Sequence, residues 1–375
     1  MGEMDIAFPN LGIYLTNVPK TIMIGNFGIA LYGIIIAIGM LLGLTLASRI
    51  ADKEGLGPDV IWDLGPALLL FSVIGARIYY VIFMWDMYKD DPIQILNLRG
   101  GGLAIYGGII AGFITIYAYC RIKKIKFPRL LDPIMYGLLI GQILGRWGNF
   151  FNREVFGEYT DNLFAMRIPV SMVRERDISA SIAAHMTEGT NYIQVHPTFL
   201  YEGMWNLMIL LFLLLYRKHK KFDGEIALFY FAGYGIGRAI IESIRTDQLY
   251  ITGTTIPVSK ALGIAMAVVS ITADLMIRAK KRKSTAAEAA GGAAGTQAEV
   301  AGKAKAAVVK DGPQAEASGK ADEPKAEVPK AEEPKAEEPK AESPDKEEEP
   351  GTEASGKAEN TKNRAPEGGD EDKSI

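Results

Sequence analysis

One cysteine, Cys120, and three histidines are all the thiol and imidazole ligands this 375-residue chain offers. A single thiol excludes an intramolecular disulfide and a cysteine metal cluster, and so few imidazoles exclude a histidine-rich metal site. The first 26 residues lack a basic stretch leading into an apolar run and a small-residue cleavage site, so no removable signal peptide is expected. From Ser284 onward there is no Phe, Trp, Tyr or Leu, and the 13 basic and 22 acidic residues leave a net charge of -9. The whole chain carries -3, so the first 283 residues hold about +6, and the acidic balance says nothing of their partners. The last stretch contains four consecutive units, PKAEV, PKAEE, PKAEE and PKAES, starting at Pro324. Such repeats cannot bury enough apolar surface to offset the entropy of ordering. Residues 284–375 are therefore expected to be a low-complexity, disordered tail.

What the first 283 residues have instead is long hydrophobic runs. Residues 27–48 match the ~20 residues that cross a bilayer. Similar runs follow at about 60–83, 101–120, 130–150, 198–216, 226–244 and 256–278. The expected fold is an all-α integral membrane protein: a bundle of seven transmembrane helices within residues 1–283, with a small extracytoplasmic head at about 151–197. The connections RIKKIKFPR, RKHKK and RAKKRK fall on one side of seven spans and mark it as cytoplasmic. That puts the N-terminus outside and the tail inside.

In this topology a set of polar residues gathers in the outer layer. Six of the spans contribute to it: Tyr32, Arg77, Tyr106, Arg146 with Asn149, His196 with Tyr201 and Glu202, and Arg238 with Glu242 and Arg245. Arginines on the outer side run against the orientation rule, and charges within a bilayer are costly and mark function. Arg238 and Glu242 are spaced to pair across one helical turn, which can itself orient the arginine. Taken alone, His196, Tyr201 and Glu202 read as residues anchoring a helix start at the interface; clustered with arginines, they read as a site.

The densest stretch is GRWGNFFNREVFG, residues 145–157, which sets Arg146, Asn149, Asn152, Arg153 and Glu154 at the end of an apolar run. A lone arginine there marks the interface, but this one has two asparagines and two close glycines beside it. The planar fork of arginine suits a phosphate, so a phospholipid headgroup site is expected.

These residues closely resemble the bacterial prolipoprotein diacylglyceryl transferase family. The resemblance rests on GRWGNFFNREVFG, with support from LYG at 31–33, GGLAIYGG at 101–108, HPTFLYE at 196–202 and YGIGRAIIESIR at 234–245. It implies an enzyme that moves the diacylglyceryl group of phosphatidylglycerol onto the lipobox cysteine thiol of a preprolipoprotein, forming a thioether and releasing glycerol 1-phosphate. By the same resemblance Arg146 binds the headgroup and Arg238 faces the phosphate. Asn149, Asn152, Glu154 and Gly157 shape the site, and Tyr32, Tyr234 and Glu242 match further family positions. The implied partners are phosphatidylglycerol, lipobox preprolipoproteins and the lipid bilayer, with no nucleic acid, no cofactor and no metal. Many members carry histidine where Tyr106 stands, and that histidine is the usual candidate for general base. A free phenol, titrating near ~10, is no ready base at neutral pH, which leaves the base unassigned. A transporter or flippase for an anionic lipid is the rival reading; it calls for an internal repeat and midplane binding residues, and no such repeat is present. A plain membrane anchor for the tail leaves the arginines without a purpose.

Overall fold

The computed structural model describes residues 4–98, 101–186 and 189–308. It is mostly helical. In chain order the helices are α1 (Leu31–Lys53), α2 (Asp59–Phe83), α3 (Ile105–Lys123), α4 (Phe127–Asn152), the short α5 (Ala180–Ala184), α6 (Thr198–Tyr216), α7 (Glu225–Ile241) and α8 (Val258–Val308). Among the described residues, each expected apolar run overlaps one of the long helices α1 to α4 and α6 to α8. Five segments, Leu31–Lys53, Asp59–Phe83, Ile105–Lys123, Thr198–His219 and Val258–Ala286, are long and apolar enough to cross a membrane. Large side chains such as Leu70, Ile82, Ile114, Leu211, Leu215 and Val269 are exposed on them, an outer surface suited to lipid and to a multi-pass membrane protein. Helix α4 carries Asp132, Gln142 and Arg146, and α7 has 17 residues; neither is among the five.

Strands depart from the all-α expectation. Residues 27–48 were expected to form one span, yet Phe27–Ala30 is a strand, β4, paired with β3 (Thr21–Ile24) around the turn at Gly25 and Asn26. A two-residue loop with glycine at φ 60° favours a hairpin, so α1 starts only at Leu31. A second sheet joins β1 (Met4–Phe8), β2 (Ile13–Thr16), β5 (Met166–Pro169) and β6 (Tyr192–Val195) in the antiparallel order β2-β1-β5-β6. The N-terminal segment thus belongs to the same layer as residues 166–195.

This sheet holds the site in place. Ile6, Phe8, Met166, Ile168, Ile193 and Val195 pack with Ile182 of α5, with Phe150 and Phe156 around the end of α4, and with Phe199 at the start of α6. Each buried phenylalanine contributes about 2 kcal/mol relative to exposure, so the strand layer fastens two helix ends together. Beneath it, the bundle core runs from Ala47 and Leu64 through Tyr136 and Leu139 to Leu213 and Tyr230.

Opposite this sheet, at the other end of the bundle, a charged cluster closes the helices. Lys220 Nζ lies 2.5 Å from a Glu54 oxygen and 3.1 Å from Asp132, while Asp132 accepts the backbone N–H groups of Gly224 and Ala227 at 2.8 and 2.9 Å. The first turn of α7 is therefore capped by a carboxylate from α4. Helix α8 does not stop at the expected boundary of 283 but continues through alanine-rich sequence to Val308. The remaining tail residues, 309–375, lie outside the described residues.

Candidate active site

Helix α4 ends inside the densest sequence stretch, and its ending builds the first half of the site. Arg153 takes a left-handed conformation, φ 56°, and its N–H turns back to α4 carbonyls. Val155 follows at φ 61°, a costly conformation for a β-branched residue. Between these two, Glu154 is rolled back onto the helix end. It accepts hydrogen bonds from Asn149 Nδ2 and Asn152 Nδ2, both at 3.2 Å. Asn149 in turn accepts from Arg146 Nη1 at 3.3 Å. The i, i+3 spacing of Arg146, Asn149 and Asn152 lays all three along one strip of the helix.

The second half comes from α6 and α7. Glu202, one turn into α6 and 4% exposed, meets three guanidiniums: Arg146 at 2.5 Å on Oε2, and Arg238 at 3.4 Å and Arg245 at 3.3 Å on Oε1. Arg238 also reaches Glu242 at 2.7 Å, the pairing expected from their spacing. Arg245 binds Asp247 through two N–H groups at 2.9 and 2.7 Å. Burial works against ionisation of Asp247, but the Arg245 fork holds its carboxyl below the ordinary carboxylate range. Three arginines and three carboxylates thus meet where the sequence places three separate motifs.

Backbone pairing closes the ring. Gly157 bridges Arg245, its N–H donates to His196 O at 3.0 Å, and Glu158 N–H donates to Ile244 O at 2.8 Å. A Cβ on Gly157 would lie 2.6 Å from Ile244 O, so only glycine lets the signature pass between the start of α6 and the end of α7. Tyr32 is seated by the same device: a Cβ at Gly148 would stand 2.5 Å from its ring. Tyr234, one turn before Arg238, stacks on Tyr230 at 5.7 Å, and Tyr230 accepts a hydrogen bond from Gln142 at 2.8 Å.

Beside the arginines, His196 Nδ1 and the Tyr201 hydroxyl lie 3.3 Å apart, and Asn162 Nδ2 donates to Tyr201 at 3.1 Å. Burial lowers the His196 pKa below 6.5, only partly opposed by Glu158, so its ring is neutral at pH 7. Asn162, Asp247, Gln142 and Tyr230 complete these contacts and were not singled out from sequence. Asp247 follows Arg245 by two residues, a charge spacing that sequence alone does expose; the others have no local signal.

Two expected members stand apart. Arg77 is buried, and its five N–H groups go to the carbonyls of Gln94, Ile95, Asn97, Gly101 and Gly102 at 2.6 to 3.1 Å. Its charge holds the connection between α2 and α3; it is not turned toward the other arginines. Tyr106, in the first turn of α3, is half-buried, and its hydroxyl has no hydrogen bond among the described residues.

Comparison with known proteins places this arrangement. The family described as prolipoprotein diacylglyceryl transferase matches residues 19–276. A phosphatidylglycerol–prolipoprotein diacylglyceryl transferase of Finegoldia magna is 39% identical over 259 residues, covering 68% of this chain and 94% of that protein. Phosphatidylglycerol–prolipoprotein diacylglyceryl transferase 1 of Clostridium perfringens is 38% identical over 268 residues, covering 71% and 97%. The transferase of the same name from Clostridioides difficile is 40% identical over 225 residues, covering 60% and 82%. With the family matched over residues 19–276 and three of the motifs meeting at Glu202, this chain belongs to the prolipoprotein diacylglyceryl transferase family.

Proposed function

We propose that the chain transfers the diacylglyceryl group of phosphatidylglycerol to the lipobox cysteine thiol of preprolipoproteins, and that the arginine ring is where this happens. The observation that carries the reading is the sharing of one buried carboxylate by Arg146, Arg238 and Arg245, while the Arg146 and Arg238 side chains keep 19% and 16% of their surface accessible. Arg245 is 9% exposed and tied to Asp247, so it braces the ring. The names of the relatives support the same donor and acceptor.

In the reaction, the acceptor sulfur forms a bond to the glyceryl carbon that bears the phosphate. The carbon–oxygen bond breaks, and glycerol 1-phosphate departs with the electron pair and a second negative charge. Arg146 and Arg238 stabilise that charge as it develops, because their donors are already oriented. The thiol, with a free pKa near ~8.5, must lose its proton to water or to the departing phosphate. Asn149, Asn152, Glu154 and Gly157 hold Arg146 and the turn behind it; Tyr32, Tyr234, His196 and Tyr201 line the approach; Glu242 orients Arg238.

All seven long helices cross the membrane in this reading. Helix α4 packs against α1, α6 and α7, so neighbours shield its polar side chains. The arginine ring and the head, residues 151–197 together with the N-terminal strands, face outward, where secreted acceptors emerge. The basic connections and the tail lie on the cytoplasmic side. Purified chain, phosphatidylglycerol and a lipobox peptide, scored by mass for a diacylglyceryl adduct, tests the function; lipid movement between leaflets with an unmodified peptide would point to a transporter instead.

A further inference from the structure

We infer that Glu202 is a positioning residue: the shared counter-ion that aims Arg146 at the donor phosphate, not a ligand of the substrate. The inference rests on the transfer reading of the site. Three observations carry it. First, Glu202 is 4% exposed, whereas the Arg146 and Arg238 side chains are 19% and 16% exposed, so the carboxylate lies behind the guanidiniums. Second, its two oxygens are divided between helices: Oε2 faces Arg146 of α4, and Oε1 faces Arg238 and Arg245 from the α7 side. Glu202, projecting from α6, is thus the joint through which both sides of the site are held in register. Third, the arginines depend on it unequally. Arg238 also has Glu242 at 2.7 Å, and Arg245 also has Asp247 at 2.7 Å. Arg146 has Glu202 at 2.5 Å as its ion-pair partner and Asn149 as a neutral one at 3.3 Å among the described residues.

Loss of the Glu202 charge therefore acts mainly through Arg146. It also removes one negative charge from beside an anion site. Ground-state attraction for the lipid phosphate is then undiminished or stronger, while the aim of the donors at the developing charge is lost. A positioning role thus separates KM from kcat, because only the transition state needs the aimed geometry.

The test is a double-mutant cycle on the full chain in phosphatidylglycerol vesicles, using Glu202→Gln, Arg146→Lys and both together. Glu202→Gln keeps volume and hydrogen-bonding capacity; thermal unfolding in detergent establishes that each variant is folded, and Glu202→Asp serves in its place if the glutamine variant is not. In the native background kcat is expected to fall on the order of 100-fold with KM for phosphatidylglycerol unchanged or lower. In the Arg146→Lys background the same substitution should cost less than about threefold, since the residue it acts through is already altered. A raised KM with kcat intact would overturn the inference by making Glu202 a substrate ligand. Equal losses in both backgrounds would overturn it by making Glu202 a general brace. Absence of transfer by the unaltered chain would instead remove the reading of the site on which the inference rests.

Discussion

Arg146 donates from Nη1 to Asn149 Oδ1 at 3.3 Å, and Asn149 passes the contact on to Glu154 at 3.2 Å. One turn of helix and the loop behind it thus fix the fork of a single arginine. A lysine at this position keeps the charge but offers a point donor in place of a planar pair. Arg146→Lys is expected to lower transfer on the order of 100-fold, measured as diacylglyceryl adduct per minute. Near-normal turnover would make Arg146 an interfacial anchor.

Arg77 has a different fate from the other arginines. With all five donors of a buried guanidinium on carbonyls between Gln94 and Gly102, its replacement by Gln removes most of the hydrogen bonds that hold this connection. A loss of about 3 kcal/mol or more is expected, since hydrogen bonds to a charged group are the costly ones to remove. The expected result is a lower Tm in detergent and faster proteolysis after α2, with KM for phosphatidylglycerol unchanged in the protein that remains folded. A raised KM at unchanged Tm would return Arg77 to the substrate.

Tyr106 stands in the first turn of α3, half-buried, where many family members carry histidine. As a neutral hydrogen-bond partner it contributes about one such bond, so Tyr106→Phe should slow transfer about fivefold without changing the shape of the pH profile. Complete inactivity, rescued by Tyr106→His with a rate limb moved to lower pH, would make this position the base.

His196 supplies a pH-dependent contribution whose sign follows from its burial. Its folded pKa lies below the 6.5 of the free side chain, so the folded state binds fewer protons than the unfolded state in the window beneath 6.5. The stability associated with neutral His196 is present above pH 6.5 and is lost as the pH falls toward the folded pKa. His196→Gln should flatten the decline of Tm below pH 6.5. An unchanged decline would place the titrating group elsewhere.

Hydropathy exposed every long helix because the signal is local, and residues 198–216 coincide with α6 to the residue. The sheet escaped notice for the opposite reason. Ala7 pairs with Arg167, and Met166 with Val195, in strands of four or five residues whose partners are far away in sequence. Such short segments carry too little alternation to announce themselves. At the site, residue identity revealed which arginines lie at membrane helix ends, but not what each one faces. Arg77 and Arg146 look alike in sequence; packing gives one to a loop and the other to Glu202. The Glu202 hub needs three helices at once, so it becomes visible only in the fold.

The most direct measurement counts both products of one reaction. Reconstituted chain, phosphatidylglycerol and a lipobox peptide should yield thioether-linked diacylglyceryl peptide and free glycerol 1-phosphate in equal amounts, with both falling together in Arg146→Lys. A peptide that retains phosphorus, or adduct without matching glycerol 1-phosphate, would contradict cleavage of the carbon–oxygen bond at the arginine ring.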